Sequence, residues 1–170
     1  MEVIVNEIKK AAELVTVIVQ EDVQPANYHQ INGTCGLLTL DDTIIQYTGS
    51  GSVRAGIDLL LISENDIKRS GEAVTVNLPP AQIIIVSSDA NVFDTELAND
   101  FLVCKDNVAI KPESINLIQA TVKQAILQAA CDKNILEKAN TFAKDYVYGL
   151  LKGLGFTEIT LNTQAVGNCP

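Results

Sequence analysis

A helical apolar repeat in the last third of the chain limits the fold more than any other feature. It starts near Pro112, which suits a first helical turn, and its apolar residues share one helix face. These residues are Ile115, Ile118, Val122, Ala125, Ala129, Leu136, Ala139, Ala143, Val147, Leu150 and Leu154. One straight helix from residue 112 to 154 would be roughly 63 Å long, whereas a globule of this size is only about 40 Å across. The sequence therefore predicts a bent or broken helix, with the break at the polar residues 131–134.

Before this repeat, several segments have the composition of strands, with β-branched residues or alternating apolar residues. They are residues 14–23, 43–59, 72–78 and 82–88. The last of these is apolar enough to be buried on both faces. Between them, Ser63 and Asp66 have the spacing of a capped helical turn that ends at Gly71. A final strand at residues 156–161 follows the helices.

Other segments predict irregular structure. Residues 24–36 contain proline, asparagine and glycine and predict a loop. Gly49 and Gly51 predict a hairpin turn or a bulge between two strand segments. Further along the chain, we expect a short helix around residues 95–99 and a poor strand near residues 101–104.

The first residues predict an amphipathic helix rather than a signal peptide, because charged residues interrupt the apolar ones. Its apolar face consists of Val3, Ile4, Ile8, Ala11, Ala12 and Val15. All these elements together predict an α+β fold: a mainly antiparallel sheet, an N-terminal helix and a long, bent C-terminal helical segment packed on the sheet. We expect a single domain over residues 1–162 and a flexible tail over residues 163–170.

The charge of the chain excludes some partners. The chain has 170 residues, a formal net charge of -9 and 47% hydrophobic residues, which excludes general disorder. Nucleic acids and anionic lipids require clustered Lys and Arg, and Lys68–Arg69 is the closest approach to a cluster. No apolar run is long enough to span a bilayer. We therefore expect a chain that is soluble as given, with a trimmed upstream anchor as an alternative.

Cysteine spacing gives no metal site. Four cysteines lack the CxxC or Cys/His spacing of structural zinc sites. Cys131 lies in a helical stretch and is expected to be a small core residue. A disulfide between Cys35 and Cys169 is an open alternative, and Cys104 adds further pairings that the sequence does not resolve.

No catalytic or cofactor site is visible in the sequence. The glycines of residues 49–56 lack both the dinucleotide fingerprint and the Walker lysine. His29 is the only histidine, and it predicts a surface loop more readily than a catalytic pair with Cys35. A weak cation site near Asp89, Asn91 and Asp94, and an enzyme built on dispersed carboxylates, stay open as alternatives. We expect no cofactor and no metal.

Arg54 and Asp58 form the candidate site that the sequence singles out. They lie four residues apart in a strand, so both face away from Val53 and Ala55. Gly56 between them leaves room for both side chains. The structural interpretation is an ion pair or a turn cap where the strand ends, and the functional interpretation is a binding site.

Three segments resemble a known family. They are "VRAGIDL" at residues 53–59, "EAVTVNLPPAQII" at residues 72–84 and "GLLKGLGFTEITL" at residues 149–161. In order and spacing they resemble the bacterial family called domain of unknown function 4230, over about residues 10–162. The resemblance implies an N-terminal membrane anchor, absent from this chain, and a domain outside the cytoplasmic membrane. In that compartment disulfides are more common.

Two functions are expected from these observations. The first is a non-enzymatic, envelope-associated module that binds a protein partner or forms a homo-oligomer, touching the membrane only through the absent anchor. The second is a small-molecule or lipid-binding domain with an apolar pocket between sheet and helices. We expect no nucleic-acid partner.

Overall fold

A computed structural model of the chain describes residues 2–10, 16–35, 38–97, 109–164 and 169. The elements, in chain order, are α1 (Glu2–Lys10), β1 (Thr16–Cys35), β2 (Leu38–Gly56), two 3₁₀ turns (Leu59–Leu61 and Glu64–Asp66), β3 (Ile67–Ser70), β4 (Ala73–Leu78), β5 (Gln82–Leu97), α2 (Pro112–Asp132), α3 (Ile135–Gly153) and β6 (Glu158–Thr163). The predicted α+β fold, with its N-terminal helix and bent C-terminal helical segment, is confirmed.

The chain divides into two compact units. The first unit contains Met1–Val19, Val53–Ile85 and Ala130–Pro170. The second unit contains Gln20–Ser52 and Val86–Ala129. The predicted boundaries of one domain over residues 1–162 and a tail over residues 163–170 stay predictions.

The helical segment breaks where the polar residues predict it. Helix α2 ends at Asp132, and α3 begins at Ile135. Asn134 precedes α3 in the left-handed conformation, with a φ of 56°. Asparagine tolerates this conformation better than most residues, because its short polar side chain bonds locally. Helix α3 then buries one apolar stripe, formed by Ile135, Leu136, Ala139, Ala143, Val147 and Leu151.

The sheet of the first unit has the order β3-β4-β6. Strand β4 pairs antiparallel with β3 and parallel with β6, with Val74 opposite Ile159. Buried and half-buried residues alternate along β4, so the strand has the period-2 pattern of a half-buried strand. The predicted strands at residues 72–78 and 156–161 are confirmed. The predicted helical turn before Gly71 is too long, because Lys68 and Arg69 belong to β3.

The other sheet has the order β1-β2-β5 and much longer strands. The predicted loop at residues 24–36 is wrong, because β1 continues through it to Cys35. Pro25 is compatible with β1 because this strand lies at the edge of the described sheet. Half-buried residues are odd-numbered up to Val23 and even-numbered from Ala26. That shift by one residue is the pattern of a β-bulge.

Two glycines let α2 pack closely on β2 inside the second unit. Gly49 and Gly51 lie within the continuous strand β2, so the predicted hairpin turn at these glycines is wrong, and the alternative of a bulge stays a prediction. A Cβ atom at Gly49 would overlap the Val122 side chain, and one at Gly51 would overlap the Ser87 carbonyl oxygen and crowd Ile126. Gly49 is therefore required for the close approach of α2 to β2, and Gly51 is required by the backbone of β5 as well as by α2.

Strand β5 differs most from its prediction. It extends for 16 residues, so residues 95–97 are strand and not the short helix expected there. It is also not buried on both faces, because Ile84 is 46% exposed and Ile85 is 50% exposed. The predicted strand near residues 101–104 lies outside the described residues.

Helix α1 forms as predicted, but its buried face differs at two residues, because Val5 is not expected on that face and Val3 is. It buries Ile4, Val5 and Ile8, and it contacts α3 and the Leu59–Leu61 turn. Val3, expected on the apolar face, is 70% exposed. Ala11, Ala12 and Val15 lie outside the described residues.

Candidate functional site

The strand end that contains Arg54 and Asp58 is built as a turn cap. Asp58 is the N-cap of the Leu59–Leu61 turn, and its Oδ1 accepts a hydrogen bond from the Leu60 backbone N–H at 3.0 Å. Arg54 is exposed on β2. Among the ion pairs of the described residues, none joins Arg54 to Asp58. Asp58 therefore has a structural partner, and a binding role for the two residues stays a prediction.

A second cap follows directly. The Asp66 carboxylate accepts hydrogen bonds from the Ser63 hydroxyl at 2.7 Å and from the Ser63 backbone N–H at 2.9 Å. The hydroxyl bond, and then the backbone bond, lower the pKa of Asp66 below its ordinary value of 3.8, because both stabilise the charged form. This is the capping arrangement that the Ser63–Asp66 spacing predicts.

In the second unit, a buried glutamine joins β1 to the start of α2. Gln30 is only 2% exposed. Its Oε1 accepts hydrogen bonds from the Lys111 backbone N–H at 2.7 Å and the Ser114 hydroxyl at 2.9 Å, and its Nε2 donates to the Ala109 carbonyl at 3.1 Å. These groups line a cleft of about 610 Å³ together with Tyr28 and His29. Because both the oxygen and the nitrogen of the buried Gln30 amide are hydrogen-bonded, we interpret this residue as a structural link between β1 and α2.

The only histidine lies at the rim of that cleft. His29 Nδ1 is 3.0 Å from Asp42 Oδ2, and the His29 side chain is 60% exposed. The Asp42 carboxylate thus gives His29 a partner within the sheet. Its alternative partner, Cys35, has a side chain outside the described residues, so the catalytic pair is not tested.

The outer strand of the second unit exposes apolar and acidic side chains side by side. We use the name acidic edge for residues 86–95 of β5. Along it, Phe93 is 55% exposed and Val92 is 37% exposed. Asp89 and Asp94 are exposed next to them. Among the described strands, β5 pairs with β2 on one side only, so the acidic edge combines an outer strand, apolar contact area and negative charge.

The negative charge extends over the sheet of the second unit. Its strand residues, 20–35, 38–52 and 86–97, contain no lysine and no arginine. They contain seven acidic residues, namely Glu21, Asp22, Asp41, Asp42, Asp89, Asp94 and Glu96. A sheet with one sign of charge attracts ligands of the opposite sign and repels a copy of itself.

The sequence singles out Asp89, Asn91 and Asp94 of this edge only as a weak cation site, and it does not predict an outer strand here. The apolar run at residues 82–88 predicts a buried strand, and residues 95–99 predict a short helix. A usable signal was present, because residues 82–97 contain acidic residues but no lysine or arginine. Charged residues interrupting a strand are typical of a sheet edge.

A disulfide corrects the cysteine predictions. Cys131, at the end of α2, is bonded to Cys169, and both lie in the first unit. The alternative pairing of Cys35 with Cys169 is therefore wrong, and Cys131 is not an unbonded core residue. Both are half-buried. Helix α3 and strand β6 lie between the two cysteines, and their pairing cannot be deduced from spacing alone. Cys104 lies outside the described residues.

Searches for metal and membrane sites give two further findings. In the part of the chain that the structure describes, no three His, Cys, Asp or Glu side chains come together in a way that could hold a metal ion. Over the same residues, no helix combines the length and the hydropathy needed to cross a membrane.

Comparison with known proteins identifies one family. Residues 6–161 match the family described as "Protein of unknown function (DUF4230)", as the resemblance of the three sequence segments implied. No curated protein and no solved structure gives a significant match to the chain.

Proposed function

This chain belongs to the DUF4230 family, and from that premise we propose that it is a non-enzymatic, envelope-associated module that binds a protein or self-assembles through the acidic edge. The observation that carries the proposal is the exposure of Val92 and Phe93 on an outer strand. Exposed aromatic and aliphatic side chains are typical of recognition surfaces. An outer strand also has backbone groups that pair with a further strand.

The polar groups at the cleft of the second unit support a binding role rather than a catalytic one. The buried polar side chains at the cleft, Gln30 and Ser114, are used to join β1 to α2. His29 is paired with Asp42 at an exposed position. These polar groups are hydrogen-bonded or paired within the protein. In contrast, Val92 and Phe93 of the acidic edge leave much of their apolar surface exposed to solvent.

A lipid-binding domain is less well supported. Such a domain needs space between sheet and helix, but α2 approaches β2 so closely that Cβ atoms at Gly49 and Gly51 would overlap their neighbours. Lipid sites are lined mainly by apolar side chains, whereas the cleft beside Gln30 is lined by polar ones such as Lys111 and Glu113. We therefore prefer the protein-binding function.

The Cys131–Cys169 disulfide supports the envelope location. Disulfides persist in oxidising compartments, and in most cytosolic proteins cysteines stay reduced. Trapping free thiols with an alkylating reagent in intact native cells tests this location. We expect the protein in the extracytoplasmic fraction, with Cys131 and Cys169 alkylated only after reduction. Free thiols in a cytoplasmic fraction would exclude the envelope location.

Site-specific photo-crosslinking in cells tests the binding function. A photoreactive phenylalanine analogue replaces Phe93 in the full chain, and the same analogue at Phe142 is the control. Phe142 is 44% exposed, which is similar to Phe93, but it lies on α3. We expect a discrete adduct from position 93 only. No adduct at position 93, or the same adducts from both positions, would contradict the proposal.

A further inference from the structure

We propose that the acidic edge takes up an extended segment of a different protein, which carries both apolar residues and lysine or arginine residues on each of its two faces, because Asp89 and Asp94 lie on opposite faces of β5. This inference rests on the proposed binding function and goes beyond it by naming the chemistry of the partner. It also excludes a second copy of this chain as the occupant.

The geometry of β5 fits strand addition. An extended segment that pairs with an outer strand forms main-chain hydrogen bonds along its length, and its side chains alternate between the two faces. Residues 91–94 are all exposed. Val92 and Phe93 are neighbours in the strand, so they give apolar contacts on opposite faces of the sheet. Both faces of the added strand therefore find apolar contact area.

Charge complementarity identifies the side chains of the occupant. Asp89 and Asp94 are exposed on the acidic edge, and no lysine or arginine occurs in residues 82–97. Opposite charges facing each other across a strand pair stabilise the pair, and like charges destabilise it. Lysine or arginine in the added strand therefore pairs with these aspartates, and acidic residues there are rejected.

The same charges argue against a second copy. Two acidic edges joined to each other would bring together only negative charges, with no lysine or arginine from either strand to neutralise them. Acidic residues on edge strands are a known way to prevent pairing of identical edges. The occupant is therefore a different protein with the opposite charge.

Synthetic peptides test this proposal against the full chain. The probe is a fluorescent peptide of about ten residues, which matches the length of the acidic edge. In it two valines are followed by two lysines and the pattern repeats, so that each face carries both residue types. One comparison peptide has glutamate in place of lysine. Another carries N-methyl groups on every backbone nitrogen, which removes the hydrogen-bond donors of both strand edges. Fluorescence anisotropy gives the affinity of each.

We expect the lysine peptide to bind, and the glutamate and N-methylated peptides to bind at least about tenfold more weakly. Raising the salt concentration should weaken the lysine peptide, because the aspartates are exposed. Equal binding of the lysine and glutamate peptides, or no effect of N-methylation, would overturn the proposal. Absence of binding by all three peptides would also overturn it.

Paired charge reversals assign the binding to the acidic edge. The double variant Asp89→Lys with Asp94→Lys should lose at least about tenfold in affinity for the lysine peptide. The matched control, Glu137→Lys with Asp145→Lys on exposed positions of α3, changes the net charge equally and should have little effect. Equal loss in both variants would show non-specific attraction and would reject the acidic edge as the site.

Two outcomes separate this proposal from the proposed function. If residue 93 crosslinks to a partner while no peptide binds, the binding function stands and the basic extended segment is wrong. If the crosslinked product has twice the mass of the chain, and sedimentation shows a dimer that Phe93→Ser dissociates, the occupant is a second copy. That result would overturn the inference and leave the self-assembly function in place.

Discussion

Strand β4 of the first unit and the acidic edge of the second unit differ in how far their apolar side chains are buried. In the first unit, β4 buries Val74, Val76 and Leu78 at 2% exposure or less. Its neighbours, β3 and β6, cover it on both sides. In the second unit, the acidic edge leaves Val92 and Phe93 exposed among aspartates. Apolar residues therefore stabilise the core in β4 and are presented at the surface in the acidic edge.

This difference teaches where substitutions should affect stability and where they should affect recognition. Burial of an apolar side chain stabilises the fold in proportion to the area removed from water. A side chain that stays half exposed contributes less of this free energy. Exposed apolar side chains of this kind also carry an aggregation risk. We therefore expect stability and binding to be separable between the two sheets.

The largest effect tests that separation directly. Leu78→Ala removes a fully buried side chain from β4, and we expect the free energy of unfolding to fall by roughly 2–5 kcal/mol. Phe93→Ala removes a larger side chain from the acidic edge and should change the free energy of unfolding by about 1 kcal/mol or less. Urea unfolding followed by circular dichroism measures both.

The comparison would break if the two variants were equally destabilised. That result would mean that Phe93 is covered in solution by another part of the chain or by another copy. Repeating the unfolding at several protein concentrations separates these two explanations, because only cover by another copy depends on concentration.

The second effect concerns the contact between α2 and β2. Gly49→Ala places a methyl group against the Val122 side chain, and β-branched valine cannot rotate away easily. We expect a loss of about 1–3 kcal/mol in the free energy of unfolding from overpacking. Gly149→Ala is the matched control, because nothing lies within 4 Å of a Cβ atom at Gly149 in α3. That variant should gain up to about 1 kcal/mol from helix propensity.

A double-mutant cycle sharpens this result. If the clash at Val122 is the cause, adding Val122→Ala should cost less in the Gly49→Ala background than in the original chain. Additive losses would show that Gly49 is required for another reason. The sheet of the second unit would then owe its stability to the strand conformation rather than to the packed helix.

The sequence predicted those parts of the fold whose burial is periodic. The alternation in "AVTVNL" predicts β4 because one face of this strand is buried. The helical repeat predicts α2, α3 and the break between them, because a straight helix would not fit a chain of this size. Ser63 and Asp66 predict a cap because a local hydrogen bond depends only on their spacing.

The same reasoning failed wherever tertiary context decides. Pro25 reads as a loop residue unless its strand is known to lie at an edge. Gly49 and Gly51 read as a turn unless a helix is known to cross them. The acidic edge was missed for a related reason, because the apolar residues 83–86 read as a buried strand whether a sheet continues beyond them or ends there. Pairing of Cys131 with Cys169 depends on the fold and on nothing local.

The smallest effect tests the cap that leads into the buried sheet. Ser63→Ala removes the hydroxyl that donates to Asp66, and we expect a loss of about 0.5–1 kcal/mol at neutral pH. Because the folded-state pKa of Asp66 is lowered, this contribution is complete above the ordinary pKa of 3.8 and is lost as the pH falls through the lowered value. The stability difference between the two proteins should therefore shrink in acid.

Urea unfolding at pH 7 and near pH 3 measures this change. The control is Ser70→Ala, which lies at an exposed position of β3. The control should show a small difference that does not depend on the titration of Asp66. A Ser63→Ala difference that stays constant between the two pH values would contradict the cap, because it would mean that the hydroxyl stabilises the turn without acting on the Asp66 charge. Such a result would mean that the Ser63 side chain stabilises the turn before β3 by packing rather than through its hydrogen bond to Asp66.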